Sequence, residues 1–201
     1  MGLDMYLYRL KKVDESDDIE KIGDAFVYYD EYLDGKEVTR EDFDKVDPYE
    51  YYMMTNGIYE DLDFDIINKY KDHTLYSGEG SLSDELIYWG KANAIHQFLV
   101  KNSLDYSEDI PYDDFNTKYL EVTPETLIEL RDRCKAIVDS VSEKDYSSAK
   151  ELLPTQGGFC FGSLDYDEFY INKLEYTIEE LNNLFSYEGW KDYHYYYYPF
   201  W

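Results

Sequence analysis

The stretch Ser83–Lys101, SDELIYWGKANAIHQFLVK, carries the strongest folding pattern in the chain. Ser83 offers a capping oxygen and Asp84 a negative charge at one end, and Lys101 suits the negative end of a helix. At about 100° per residue, apolar side chains cover most of the helix circumference. They are Ile87, Tyr88, Ala92, Ala94, Ile95, Phe98 and Leu99. The pattern predicts a central helix over residues 83–101 that is covered on more than one side.

Lys91 interrupts this apolar face, because on a helix it would project between Ile95 and Phe98. We expect its side chain to be at least half buried, with its ammonium paired to a carboxylate or a carbonyl. Two interpretations stay open, a packing lysine and a ligand-binding lysine. His96 leaves the same choice between a hydrogen-bonded structural histidine and a functional one.

The composition limits the classes of partner. The chain has 201 residues, 25 tyrosines and a net charge of −26, which argues against direct binding to nucleic acid or to an anionic membrane. A polyanion favours a basic protein partner. The length suits one domain, and the sequence has neither a secretion signal nor a long apolar run, so we expect a cytoplasmic protein.

The sequence predicts neither a metal site nor a cofactor. Asp63 and Asp65 stand two residues apart, but the turn glycine and closing glutamate of a calcium loop are absent. Cys134 falls on a predicted helix face and Cys160 in a predicted strand, so both are expected to be buried thiols without a disulfide or zinc.

The rest of the chain predicts an α+β fold, with a small, mostly antiparallel sheet packed by about three main helices. The predicted strands are Leu3–Leu10, Tyr119–Val122, Gly158–Gly162 and the aromatic tail that ends at Trp201. One helix begins at Thr123-Pro124-Glu125, a short one covers Ser147–Leu152, and the last contains Ile171 to Phe185.

The segment Asp14–Asp72 holds 20 acidic and six basic residues. Because aromatic and aliphatic side chains are interleaved with the acids, we expect an ordered acidic elaboration rather than a disordered tail. The predicted organisation is therefore a single domain over residues 1–201, with residues 14–72 as the elaboration and residues 73–201 holding the core.

Three sequence blocks together resemble a family of uncharacterised small proteins of phages, prophages and bacteria. The blocks are GLDMYL at Gly2–Leu7, the YWGKANAIH segment within Glu85–His96, and LLPTQGGFCFGSLDYD at Leu152–Asp167. Gly90 stands where the family often has arginine, and Cys160 where it often has phenylalanine. The resemblance implies a shared scaffold and no particular activity.

We expect a non-enzymatic protein, an inhibitor from a phage or mobile element that blocks the nucleic-acid-binding surface of a host defence nuclease, such as a CRISPR effector, by acidic mimicry. The predicted partner-binding residues are Asp17, Asp18, Asp30, Glu31, Tyr51, Tyr52, Tyr59, Glu60, Asp61, Asp63 and Asp65. The alternatives are a structural or assembly protein and a small-molecule enzyme or sensor. The pocket of the latter would hold Lys91, Asn93, His96, Gln156 and Ser163.

Overall fold

The computed structural model describes residues 2–10, 84–141 and 145–201. Contacts divide the chain into two compact units, Leu10–Asp84 and a core unit formed by Met1–Arg9 with Glu85–Trp201. Apart from Leu10 and Asp84 at the borders, the described residues belong to the core unit. The predicted acidic elaboration, residues 14–72, lies outside the described residues, so the single-domain organisation stays a prediction.

A four-stranded antiparallel sheet forms one layer of the fold. Its strands are β1 (Asp4–Leu10), β2 (Asp84–Gly90), β3 (Leu120–Val122) and β4 (His194–Phe200), in the spatial order β2-β1-β4-β3. In the β3–β4 pair, Leu120 lies opposite Tyr197 and Val122 opposite Tyr195. The predicted α+β fold with a small antiparallel sheet is confirmed.

One face of the sheet is buried, as the alternation of its side chains requires. Met5, Leu7, Ile87, Trp89, Leu120, Val122, Tyr195 and Tyr197 are all buried members of one hydrophobic core. Each such side chain contributes roughly 1.5–3 kcal/mol to folding. The indole N–H of Trp89 donates to the buried hydroxyl of Thr177, 2.9 Å away, so this polar group has a partner inside the core.

Within the described ranges, four α-helices accompany the sheet: α1 (Asn93–Lys101), α2 (Pro124–Ser140), α3 (Ser147–Leu152) and α4 (Glu168–Phe185). Short 3-10 helices cover Tyr112–Phe115 and Trp190–Asp192. The predicted start of α2 is confirmed, since the Thr123 hydroxyl accepts a hydrogen bond from the Thr126 N–H at 3.1 Å. The short helix α3 and the last helix α4 also form where the sequence predicts them.

The predicted central helix over residues 83–101 is wrong in its first half. Residues Asp84–Gly90 form strand β2, and the helix begins only at Asn93. Ile87 and Trp89 are buried while Tyr88 is exposed, which is the alternation of a strand. The consecutive apolar side chains Leu86–Trp89 fit the period of a helix as well as that of a strand. Pairing with β1 makes this segment a strand.

The predicted strand Gly158–Gly162 is also wrong, because this segment is a tight turn. A Cβ on Gly158 would lie 2.5 Å from the ring of Phe161, so the chain folds back here instead of extending. Cys160 has a φ of 61° and is exposed, which corrects its prediction as a buried thiol. Cys134 is a free buried thiol, as predicted.

Candidate functional site

Lys91 occupies the turn between β2 and α1 in a left-handed backbone conformation, with a φ of 56°. Its N–H donates to the carbonyl of Leu3 at 2.7 Å, so the residue before β1 fixes this turn. A residue with a Cβ loses about 1–2 kcal/mol in this conformation. Such strain persists only where the surroundings hold it, and it concentrates at functional sites.

Two glycines from distant parts of the chain pack directly against Lys91. A Cβ on Gly2 would lie 3.1 Å from Lys91 Cε, and a Cβ on Gly162 would lie 3.1 Å from Lys91 Cβ. Gly162 itself has a φ of 94°, which favours glycine. The blocks Gly2–Leu7, Glu85–His96 and Leu152–Asp167 therefore meet at this lysine.

Lys91 is an exposed residue, although its place on a predicted apolar helix face led us to expect that at least half of the side chain would be buried. The reason is that Lys91 lies in a turn and not on an apolar helix face. Within residues 2–10, 84–141 and 145–201, no carboxylate forms an ion pair with it.

A cleft of ≈ 30 Å³, which we call the Lys91 cleft, opens beside this turn. It is lined by Lys91, Ala92, Asn93, Ala94, Ile95, Ser163, Asp165, Asp167, Phe169, Tyr170, Lys173 and Leu174. A single water needs roughly 10–15 Å³ of such volume. The cleft therefore has room for one functional group of a ligand, and the rest of the ligand would stay outside.

Part of the cleft lining favours negative charge. Ala92 precedes α1 without a capping side chain, and the first turn of that helix holds no acid. The first amides of a helix have no intrahelical acceptor and carry partial positive charge. Lys91 and Lys173 add cationic residues to the lining, and the Lys173 ammonium lies 5.0 Å from the ring centroid of Phe169.

The cleft lining also contains two carboxylates that already have partners. The Ser163 hydroxyl donates to Asp165 at 3.1 Å, and Asp167 caps α4 by accepting from the Tyr170 N–H at 3.0 Å. The lining therefore holds both cationic and acidic residues.

Asn93 holds the loop from which Ser163 reaches the cleft lining. Its side-chain NH₂ donates to the carbonyls of Phe161 and Ser163 at 3.2 and 2.8 Å, and its Oδ1 accepts from the Gln156 N–H at 3.2 Å. Both of its donors are used, and the residue is buried. Asn93 therefore positions the loop and is not available as a direct ligand of a bound molecule.

His96 lies in a separate buried cluster and not in the cleft. Its Nδ1 is 2.6 Å from the Tyr197 hydroxyl, and the rings of Tyr112, Phe161 and Trp201 pack edge-on against it. Burial lowers the pKa of His96 to about 3, so the ring is neutral. Burial also raises the pKa of Tyr112 and of Tyr197, so both hydroxyls keep their protons.

Gln156 belongs to the same buried cluster. Its side chain lies beside the Tyr112 hydroxyl, but neither Gln156 Oε1 nor Tyr112 Oη has a hydrogen-bond partner of good geometry. The five residues predicted to share a pocket are thus divided. Lys91, Asn93 and Ser163 line the cleft, whereas His96 and Gln156 lie in the aromatic cluster.

The sequence reasoning missed Gly2, Gly162 and Lys173 as residues of this site. A signal for two of them existed, since Gly2 lies within the block Gly2–Leu7 and Gly162 within the block Leu152–Asp167. Lys173 gives no such signal, because it is one lysine on an ordinary amphipathic helix.

Other site types find little support in the part of the chain that the structure describes. There, no group of three or more His, Cys, Asp or Glu side chains is arranged to hold a metal ion. His96 contacts the Tyr197 hydroxyl and His194 the Glu121 carboxylate, and neither contact pairs an imidazole with a nucleophilic serine or cysteine. None of the helices in these ranges is both long and apolar enough to cross a membrane.

All eleven predicted partner-binding residues, Asp17 to Asp65, fall outside the described residues. Comparisons with known proteins add no homologue from which a function can be carried over. No protein-family model matches the chain, and no curated protein or solved structure is significantly similar to it.

Proposed function

We propose that the core unit is a ligand-binding module, a sensor that takes the anionic group of a small molecule into the Lys91 cleft. The observation that carries this proposal is the strained turn at Lys91, an exposed residue against which Gly2 and Gly162 pack closely. A lysine needed only for solubility does not require a φ of 56° and two close glycines. Binding a ligand is a reason to keep that strain.

The cleft indicates the class of ligand. With ≈ 30 Å³ of space, it would hold one anionic group, such as a carboxylate or a phosphate, of a ligand whose remainder lies outside. The anion would lie at Lys91 and the uncapped first turn of α1. Asp165, which also lines the cleft, would accept a hydrogen bond, so a ligand that carries a hydroxyl or an amine next to its anionic group fits best.

Inorganic phosphate is the simplest probe of this proposal. We expect phosphate to raise the thermal midpoint of the protein relative to chloride at equal ionic strength. The variant Lys91→Met should lose this response and weaken phosphate binding about tenfold or more, because a charge-assisted hydrogen bond contributes about 1.5–3 kcal/mol. Lys101→Met removes an exposed lysine at the other end of α1 and serves as the control. Equal phosphate responses in both variants would contradict the proposal.

A second function, acidic inhibition of a basic partner, is supported by the charge of the molecule. The described residues alone hold 23 acidic and 10 basic side chains, so the acidity is not confined to Asp14–Asp72. This supports an inhibitor from a phage or mobile element that occupies the nucleic-acid channel of a defence nuclease in the host cytoplasm. Both proposals describe a binding protein and not an enzyme.

The second function has its own test, a competition experiment. Nucleic-acid binding by a candidate nuclease should weaken in the presence of the protein, and less so as salt screens the charges. Changing Asp61, Asp63 and Asp65 to asparagine should restore nucleic-acid binding while the far-UV circular dichroism stays unchanged. Inhibition that is indifferent to salt and to these changes would count against mimicry.

A further inference from the structure

The Lys91 cleft is lined by equal numbers of cationic and acidic side chains. Lys91 and Lys173 line it together with Asp165 and Asp167. Acids dominate the described residues as a whole, which hold 23 acidic and 10 basic side chains. The lining is therefore locally balanced in charge, although the whole chain carries a net charge of −26.

Both carboxylates of the lining are held in place and can still accept hydrogen bonds. Asp165 Oδ2 accepts from the Ser163 hydroxyl at 3.1 Å, and the Asp165 N–H donates to the same hydroxyl at 3.0 Å. Asp167 Oδ1 accepts from the Tyr170 N–H at 3.0 Å. Because a carboxylate has two oxygens with about four lone-pair sites, each aspartate has capacity for a further donor. Acceptors that are fixed in advance lose little conformational entropy when they bind.

This balance of charges favours a zwitterionic ligand over a simple anion. A chain of charge −26 repels a free anion at long range, whereas a zwitterion carries no net charge. An ammonium brings a positive charge and three donors to the aspartates, while a hydroxyl brings one donor and no charge. The lining therefore favours an amine over a hydroxyl beside the anionic group of the ligand.

The cleft also offers apolar surface to the part of a ligand that stays outside. Phe169 belongs to the lining and is 53% exposed. The Lys173 ammonium lies 5.0 Å from the centroid of this ring, so the aromatic surface adjoins a cationic residue of the lining. An apolar side chain that packs on Phe169 removes apolar area from water, which favours binding.

We propose that the ligand of the Lys91 cleft is a free α-amino acid with an apolar side chain. Its carboxylate lies at Lys91 and the uncapped first turn of α1. Its ammonium donates to Asp165 and Asp167, and its side chain stays outside against Phe169. This ligand class rests on the proposed anion-binding function of the cleft and specifies which molecules use it.

Isothermal titration calorimetry of the full chain with L-leucine tests the class of ligand. Three analogues change one group at a time: isocaproate lacks the ammonium, α-hydroxyisocaproate replaces it with a hydroxyl, and isoamylamine lacks the carboxylate. L-Leucine should bind saturably, and the Kd of each analogue should be about tenfold higher or more. Glycine keeps the zwitterionic head group without the side chain and should also bind more weakly than L-leucine.

The double variant Asp165→Asn/Asp167→Asn tests the two carboxylates. Asparagine has nearly the same size and is also a good N-cap, so α4 should stay intact. This variant should bind L-leucine and isocaproate with equal Kd values, and it should keep the phosphate response. Asp109→Asn/Asp139→Asn removes the same charge from two exposed aspartates outside the cleft lining, so it should keep the preference for L-leucine.

Equal Kd values for L-leucine and isocaproate in the wild type, or for L-leucine and glycine, would overturn the proposal. So would an unchanged preference for L-leucine in the double variant of the cleft, or the absence of saturable binding of L-leucine. The phosphate response of the wild type separates two failures. If phosphate raises the thermal midpoint but L-leucine is not preferred, only the class of ligand is wrong, whereas the loss of both responses contradicts the anion-binding function as well.

Discussion

Gly162 lies so close to Lys91 that a methyl group on Gly162 would be 3.2 Å from the Lys91 carbonyl oxygen and 3.1 Å from its Cβ. The contact joins the loop before α4 to the turn before α1, two segments about seventy residues apart in sequence. Because Gly162 has no side chain, it leaves room for the Lys91 Cβ and carbonyl oxygen. The geometry of the cleft therefore depends on this pair.

Replacing Gly162 with alanine should destabilise the protein by about 2 kcal/mol or more. The new Cβ would approach the Lys91 carbonyl oxygen, and the alanine would have to adopt a φ of 94°. Urea unfolding followed by circular dichroism would measure the change. Gly157→Ala in the same loop is the control, since its Cβ would make only an ordinary contact of 3.8 Å with Leu164. Similar losses of unfolding free energy in the two variants would show that the Gly162–Lys91 contact does not contribute specifically to stability.

Lys91→Gly should separate stability from binding. Glycine accepts positive φ, so the variant should be as stable as the wild type or more stable by about 1 kcal/mol. It should nevertheless lose the phosphate response. Thr117→Gly relieves a similar φ of 59° outside the cleft and should keep that response. A clear loss of stability in Lys91→Gly would show that the aliphatic part of the lysine contributes to folding, which would contradict a role for Lys91 in binding alone.

Asn93→Asp should lower the free energy of unfolding by about 3 kcal/mol, because it replaces a donating NH₂ group with an accepting oxygen that faces the carbonyls of Phe161 and Ser163. Asn102→Asp at the end of the same helix should cost much less, since Asn102 is exposed and makes one such bond, to Phe98. Chemical denaturation of both variants gives the comparison. Equal costs would mean that Asn93 does not hold the loop.

His96 should make stability depend on pH. Its pKa is about 3 in the folded protein and 6.5 when unperturbed, so protonation favours the unfolded state. The contribution is fully present above pH 6.5 and is lost as the pH falls toward 3. Between pH 7 and pH 5 this loss lowers the free energy of unfolding by about 2 kcal/mol.

The His96→Gln variant isolates this contribution. Its free energy of unfolding should fall about 2 kcal/mol less than that of the wild type between pH 7 and pH 5, since other groups titrate in both proteins. Parallel pH profiles for the two proteins would contradict a buried neutral His96.

Local patterns predicted much of the scaffold. The cap at Thr123 and the proline after it predict α2, and alternating residues predict β1. β2 was missed because its four consecutive apolar residues, Leu86–Trp89, fit both a helix and a strand, and only pairing across the sheet decides between them.

The site was partly predictable. Asn93 and Ser163 were grouped from sequence, and the structure joins the Asn93 side chain to the Ser163 carbonyl. The positive φ of Lys91 was not predictable, because it results from contacts with Leu3, Gly2 and Gly162 that are remote in sequence. His96 was misplaced for the same reason, since its partner Tyr197 lies 101 residues away.

The most direct test of anion binding at the Lys91 cleft is a two-dimensional amide NMR titration of the full chain with inorganic phosphate. If the cleft binds anions, the amides of Asn93, Ala94 and Ile95 should shift in a saturable way, and Lys91→Met should abolish these shifts. Shifts that are absent from the first turn of α1, or that persist unchanged in Lys91→Met, would contradict anion binding by this lysine.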